Sequence, residues 1–307
     1  MKPTILFMGT DIHSATILDY LIKENYPIVA CVSQPDKPQG RKKVLTPTKV
    51  KSLAQEHNIE VYQPISIKND YQPLLNLDYD ILLTVAYGQI IPQVLLDHAK
   101  VCNVNVHYSL LPQYRGCSPV QSAIKDGCRE TGVSVMEMVK KMDAGQVYVQ
   151  ASCPIAEDDT TTTLFNKLNK LAIELLPDAL EKIINDPNSG EIQDENAVTF
   201  TSMITKEDEH ITGNKDVITT YNQIRSLLDE PSCYFMVDNV RYKILSCSYN
   251  QESSIVNAIS YITNDSIWLG CVDGNIVVNE IQPAGKKPMS VKQFLNGAKL
   301  QVGDQLE

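Results

Sequence analysis

The chain has 307 residues, 43% apolar and 21% charged, a composition of folded globular proteins that excludes a disordered chain. A formal charge of −10 and a pI near 5.0 argue against a surface that attracts nucleic acid all over, and leave room only for a local basic patch. Eight cysteines without any C-x-x-C pair remove the usual zinc and redox signatures, so reduced thiols are expected.

In chain order, MKPTILFMG runs from the first Met into a strand-like segment. It shows no apolar h-region or transit stretch, and no span of about 18 apolar residues follows. A cytoplasmic protein without membrane contact is expected. TILFMG, SATILDYLIKEN, PIVACVSQ, TKVKSLAQEHN, IEVYQ and DILLTVAYG then alternate strand and helix, which predicts a mostly parallel sheet with right-handed crossovers. Ligands of such sheets bind beyond the carboxyl ends of the strands, so the loops after FMG, VAYG and VNVH are the places to look. Glycine fingerprints for a dinucleotide (G-x-G-x-x-G) or a nucleotide phosphate loop are absent from the sequence.

GVSVMEMV and GQVYVQASCPI follow, then a helix in which Leu164, Leu168, Ala172, Leu175 and Leu176 recur at helical spacing behind N-cap threonines 160–163. NDPNSGEIQDENA is aperiodic and rich in turn formers, and reads as a linker. Beyond it, one helix (VITTYNQIRSLL) precedes several short strands, as in a small β-barrel. The expected division is a domain of residues 1–187, a linker 188–204 and a second domain 205–307.

NVNVHYSLLP carries the chemistry. Residues i and i+2 of a strand share a face, so Asn105 and His107 project together from a strand's carboxyl end. An amide can donate to an oxygen that becomes negative during acyl transfer, and an imidazole with a pKa near 6.5 can carry a proton at neutral pH. Asp143, in KKMDAGQ, is a candidate to hold the imidazole's tautomer. On the residues alone, capping of strand-end backbone groups explains Asn105 and His107 as well. His57, His98 and His210 read as surface residues, whereas His13 sits at the active edge. The loop QPDKPQGRKKV sets Lys37, Arg41, Lys42 and Lys43 against the sign of the whole molecule, which favours contact with a phosphate backbone over a merely solvated run.

Together FMGT, QPDKPQGR, VAYGQIIP, NVHYSLLPQYRGCSPVQSAI, ETGVSVMEMVKKMDAG, SCPI and IQPAGKKPMSVKQFLNG resemble the methionyl-tRNA formyltransferase family over nearly the whole chain. The resemblance implies a Rossmann-like α/β catalytic domain, a C-terminal OB-like β-barrel that binds tRNA, and Asn105, His107 and Asp143 as the catalytic set. Asn105 and His107 would stabilise a tetrahedral oxyanion, with His107 and Asp143 moving the proton. It also implies 10-formyltetrahydrofolate as formyl donor, held by Tyr87, Gly88, Gln89, Ile90, Ile91 and Pro92 and by Ser109, Leu110, Leu111 and Pro112. The acceptor would be initiator methionyl-tRNA, met by Lys37, Arg41, Lys42, Lys43, Lys286 and Lys287; no metal is implied, and a monomer is expected. Two features depart from the family. GTPDFA is replaced by GTDIHSA, and NPWP by LDEP at 228–231. Residues 206–307 hold 9 Lys and Arg against 13 Asp and Glu, so tRNA contact there would need a restricted patch. The alternatives are an acceptor that is a nucleotide-linked amino sugar, or an inactive tRNA-binding module.

Overall fold

A computed structural model describes residues 2–40 and 43–307. The chain forms two compact units, one of Met1–Gly116, Thr131–Cys153 and Phe165–Phe200, the other of Cys117–Glu130, Pro154–Leu164 and Thr201–Glu307. The units are interleaved in sequence.

The elements up to residue 185 are β1 (Ile5–Gly9), α1 (Ile12–Lys23), β2 (Ile28–Val32), β3 (Lys37–Gln39), β4 (Val44–Thr46), α2 (Lys49–Glu56), β5 (Val61–Tyr62), β6 (Ile81–Val85), α3 (Gln93–Leu96), β7 (Cys102–His107), β8 (Arg115–Gly116), α4 (Pro119–Lys125), β9 (Glu130–Glu137), β10 (Val147–Pro154) and α5 (Thr161–Asn185). The sheet of the first unit is ordered β10-β9-β7-β6-β1-β2-β5. Strands β5, β2, β1, β6 and β7 are parallel along this path, and β9 lies antiparallel to β7. This is a mostly parallel Rossmann-like α/β sheet. All residues of β1 and β6 are buried, which is why both read as continuous apolar runs: helices cover both faces of such a sheet.

The chain winds outward from β1 to β5 and returns at β6, so the order reverses between β1 and β6 and opens a crevice at their carboxyl ends. Helix α1 begins there. Asp11 caps it by accepting from Ser14 N at 2.9 Å, and Ile17, Leu18 and Leu21 face the core. Gly9 permits this approach, since a Cβ there would stand 2.5 Å from Ser14 Cβ. In exchange, Ser14 Oγ donates to Val85 O at 2.6 Å and ties α1 to the end of β6.

At the opposite end of the sheet, Asp80 accepts from Thr4 N and Thr4 Oγ1, both at 2.8 Å. These bonds, the backbone one foremost, hold its carboxyl below the usual carboxylate range. Such a depressed acid contributes stability above the unfolded value near pH 4, and the contribution is lost as pH falls through the folded value. Asp80→Asn is therefore expected to lower the melting temperature at pH 7 more than at pH 3. Equal losses at the two pH values in thermal denaturation would count against this ionic origin.

In the second unit, α4 packs against α7 (Val217–Leu227), and a curled antiparallel sheet of OB-like type follows. The remaining elements are β11 (Phe200–Thr201), α6 (Lys206–Glu209), β12 (Tyr234–Val237), β13 (Val240–Asn250), β14 (Ile259–Ile262), β15 (Ile267–Gly270), β16 (Asn275–Pro283), β17 (Met289–Ser290) and α8 (Val291–Leu295). Its ladder runs β12-β13-β16-β15-β14, with β17 on β16. Ile224, Phe235, Ile244, Leu269 and Ile281 fill its core. Segments 117–130 and 154–164 are anchored here: Arg225 Nη1 donates to Ala156 O at 3.1 Å and Asp159 O at 2.9 Å, and Lys125 pairs with Asp208.

Residues 190–199, within the stretch that reads as a linker, bond along the first unit. Glu191 pairs with Val147 through backbone bonds of 2.8 and 2.9 Å, Gly190 N donates to Gln146 Oε1 at 2.9 Å, and Thr199 O accepts from Arg115 N at 2.9 Å. Among the described residues no helix is long and apolar enough to cross a membrane. All eight cysteines are free thiols, and burial pushes Cys31 up to about 12.

Candidate active site

Strand β7 lies between β6 and β9, with Asn105 opposite Thr84 on one side and Met136 on the other, and His107 opposite Ser134. Val104 and Val106 are buried, as the alternation predicts. Asn105 is half-buried, and its amide makes no side-chain hydrogen bond to the described residues. His107 is 5% exposed.

The imidazole's Nε2 lies 2.9 Å from Tyr114 O. A carbonyl can only accept, so Nε2 carries the hydrogen of the neutral ring and Nδ1 is left as the base. Nδ1 faces Asp143 Oδ2 at 3.8 Å. The same carboxylate oxygen accepts from Gly116 N at 2.8 Å. The structure thus brings Asn105, His107 and Asp143 to one edge, and the tripeptide Tyr114–Arg115–Gly116 orients two of them with main-chain atoms. Tyr114 and Gly116 both adopt positive φ, +57° and +119°, so this short piece has an uncommon backbone path.

The loops after β6 and β7 begin side by side at this edge. Tyr87 O accepts from Thr10 Oγ1 at 2.9 Å and Gln34 Nε2 at 3.2 Å, binding the ends of β1, β2 and β6 together. The Tyr87 ring is in the core. Gln89 is engaged in bracing, with Oε1 accepting from Ile67 N at 2.8 Å and Nε2 directed to Gln34 Oε1 at 3.3 Å. Ser109 is buried, donates to Gln113 O at 2.6 Å and accepts through its carbonyl from Ser134 Oγ. Leu111 is buried as well, and its bond to Pro112 is cis. Of the ten cleft candidates, Gly88 and Ile90 are exposed, while Ile91, Pro92, Leu110 and Pro112 are half-buried. Gln89 is half-buried too, with its amide held in the bracing just described, and Ile90 is 92% exposed.

His13 also lies at this edge. It stacks on Phe165 with ring centroids 3.9 Å apart, and its Nδ1 accepts from Asn169 Nδ2 at 3.0 Å. Asn169 Oδ1 in turn accepts from Tyr108 OH at 2.8 Å. Burial lowers the His13 pKa, partly opposed by Asp11, so the ring is neutral at neutral pH. Of the histidines read as surface residues, His57 is exposed, but His98 and His210 are half-buried: His98 bonds Leu77 O at 3.0 Å and His210 stacks on Tyr234.

Lys37 is exposed on β3, which pairs with β4, and Lys43 is exposed with φ +48°. Arg41 and Lys42 lie outside the described residues. In the second unit, Lys286 and Lys287 are exposed in the turn after β16, beside Gly285 at φ +73°.

Sequence reasoning missed Arg115 and Gln193. Arg115 is fully buried, and donates from Nε at 3.1 Å and Nη2 at 2.9 Å to Gln193 Oε1. Gln193 Nε2 donates to Asp143 O at 2.9 Å and Gly145 O at 2.7 Å. The signal for Arg115 was a charged residue inside the motif that carries the site; Gln193 sits among polar neighbours and has none.

Two family models match: Formyl transferase over residues 1–180, and Formyl transferase, C-terminal domain, over 203–299. A methionyl-tRNA formyltransferase of Lysinibacillus sphaericus is 41% identical over 311 residues, 99% of each chain. Another, of Lactobacillus johnsonii, is 40% identical over 309 residues, 99% of this chain and 98% of that one. Among solved structures, HypX from Aquifex aeolicus in complex with tetrahydrofolic acid superposes with TM-score 0.69 at 14% identity, over 96% of this chain and 47% of that one, so this chain spans about half of it. WlaRD, a sugar 3N-formyl transferase, does so with TM-score 0.67 at 20% identity, over 94% of this chain and 100% of that one. At these identities the likeness extends to fold alone. The sequence relatives and both family models reach further, and the chain belongs to the formyl transferase family.

Proposed function

We propose that the protein transfers a formyl group from 10-formyltetrahydrofolate to the α-amine of methionine esterified to initiator tRNA, acting as a cytoplasmic monomer. The observation that carries this reading is the meeting of Asn105, His107 and Asp143 at the carboxyl edge of the sheet, in a chain about 40% identical to methionyl-tRNA formyltransferases over its full length.

A flat heterocycle with a polar edge needs apolar walls and main-chain groups, and the surface left by Gly88, Ile90, Ile91, Pro92, Leu110 and Pro112 has that character. These residues would hold the donor, whose role is to supply a one-carbon unit on a nitrogen that can depart. An α-amine has a pKa of about 7.7 to 8.0, so a usable fraction is neutral and a strong base is unnecessary. The free amide of Asn105 donates to the oxygen that gains negative charge. His107 takes the amine's proton on Nδ1, where the cationic ring stands beside Asp143 Oδ2, 3.8 Å away, and returns it to the folate nitrogen as that nitrogen's bond to the formyl carbon breaks. Asp143 stabilises the cation, and Tyr114 O keeps the ring from turning.

The test is mass spectrometry of the methionine amine after incubation with formyl donor and charged initiator tRNA, alongside uncharged tRNA and a nucleotide-linked amino sugar. Formyl-methionine on the charged tRNA alone is expected; modification of only the amino sugar would move the assignment to that acceptor, and no modification would sink formyl transfer. In the same assay, replacing Lys37 and Lys43 by Gln should raise KM for tRNA about tenfold and flatten its salt dependence, leaving donor KM unchanged. Equal rises in both KM values would mean that the loop supports the cleft instead.

A further inference from the structure

We infer that Gln193 is a positioning residue for Asp143 and that Arg115 acts through it. This rests on the catalytic reading of Asp143 given above.

Asp143 has φ +48°, a left-handed conformation that is strained for a non-glycine residue and persists only where surroundings hold it. Gln193 is the holder. Its Nε2 donates to the carbonyls of both Asp143 and Gly145, at 2.9 and 2.7 Å, and so clamps the loop on either side of Ala144. The Arg115 fork closes on Gln193 Oε1 and fixes which end of the amide faces the loop. Arg115 itself is immobilised: it is 0% exposed, and Nη2 also meets Glu195 Oε1 at 2.9 Å. The circuit closes on the next residue, because Gly116 N donates to Asp143 Oδ2. Hydrogen bonds thus run from the Arg115 side chain through Gln193 to the Asp143 backbone, and from its carboxylate back to Gly116.

Only a primary amide of this length serves both ends. Glu would accept from Arg115 but offer no donor to the two carbonyls, and Asn keeps both groups on a stem one methylene shorter. Gln193 is 8% exposed and comes from the stretch that reads as a linker. The strap along the first unit therefore contributes to the site from outside the motifs that mark it.

The experiment is a double-mutant cycle read as kcat. Gln193→Glu is expected to lower kcat by about 10- to 100-fold with KM for charged tRNA within about twofold, as loss of a catalytic group's alignment does. In an Asp143→Asn background the same change is expected to alter kcat by less than about twofold, since a positioning residue matters only through the group it positions. Gln193→Asn serves the same cycle if Gln193→Glu does not accumulate as folded protein. Equal losses in both backgrounds, or none in either, overturn the inference while leaving the role of Asp143 intact. Wild-type kcat in Asp143→Asn alone removes the catalytic reading and this inference with it.

Discussion

Replacing His107 by Ala is expected to lower kcat for formyl transfer by about 10² to 10⁴, the range for a general acid-base group. The ring sits between a carbonyl that fixes its Nε2 hydrogen and a carboxylate 3.8 Å from Nδ1, so the proton reaches the ring before the carboxylate behind it. Asn105→Ala removes one donor to the developing negative charge and is expected to cost about 10² to 10³. The double variant should resemble His107→Ala, because groups that act on one transition state do not contribute additively. KM for charged tRNA should move little in all three. Activity within about threefold of wild type in His107→Ala, by single-turnover kinetics, would remove the ring from the chemistry.

Gly132→Ala is expected to have the largest effect on stability. A Cβ on Gly132 would stand 2.2 Å from Ala151 O and 2.4 Å from Leu110 Cδ2. The first neighbour is backbone of the adjoining strand and cannot turn aside, so β9 must shift. Overpacking of this kind costs about 1 to 3 kcal/mol, or a fall of about 3 to 10 °C in Tm for a domain of this size. Leu110 is a half-buried wall of the proposed donor cleft, so KM for the donor should rise as well. A variant with wild-type Tm and donor KM would show that strands β9 and β10 separate freely at this point.

Much of the fold was legible because burial imposes periodicity. The continuous apolar runs of β1 and β6, the alternation in β7, and Leu164, Leu168, Ala172 and Leu176 along α5 are all found where that rule puts them. The parallel sheet followed from the alternation of strands with helices, and Asn105 and His107 from the two-residue repeat. What stayed hidden depends on polar contacts between distant positions, which leave no period. Nothing near Gln193 marks it as the partner of Arg115, 78 positions away. Tyr87 and Gln89 show a related blind spot: the motif points to the loop, but one ring is buried and one amide braces Ile67. A string of letters does not say whether a loop works through side chains or through main chain.

The tripeptide at 114–116 has a mechanical consequence. A carbonyl and an amide two residues apart grip His107 and Asp143, like two jaws cut from one piece of metal. Thermal drift of that piece carries both groups in the same direction, so their mutual spacing is conserved while the edge as a whole breathes. Because the gripping atoms belong to the polypeptide itself, exchanging the Tyr114 side chain would leave the grip in place.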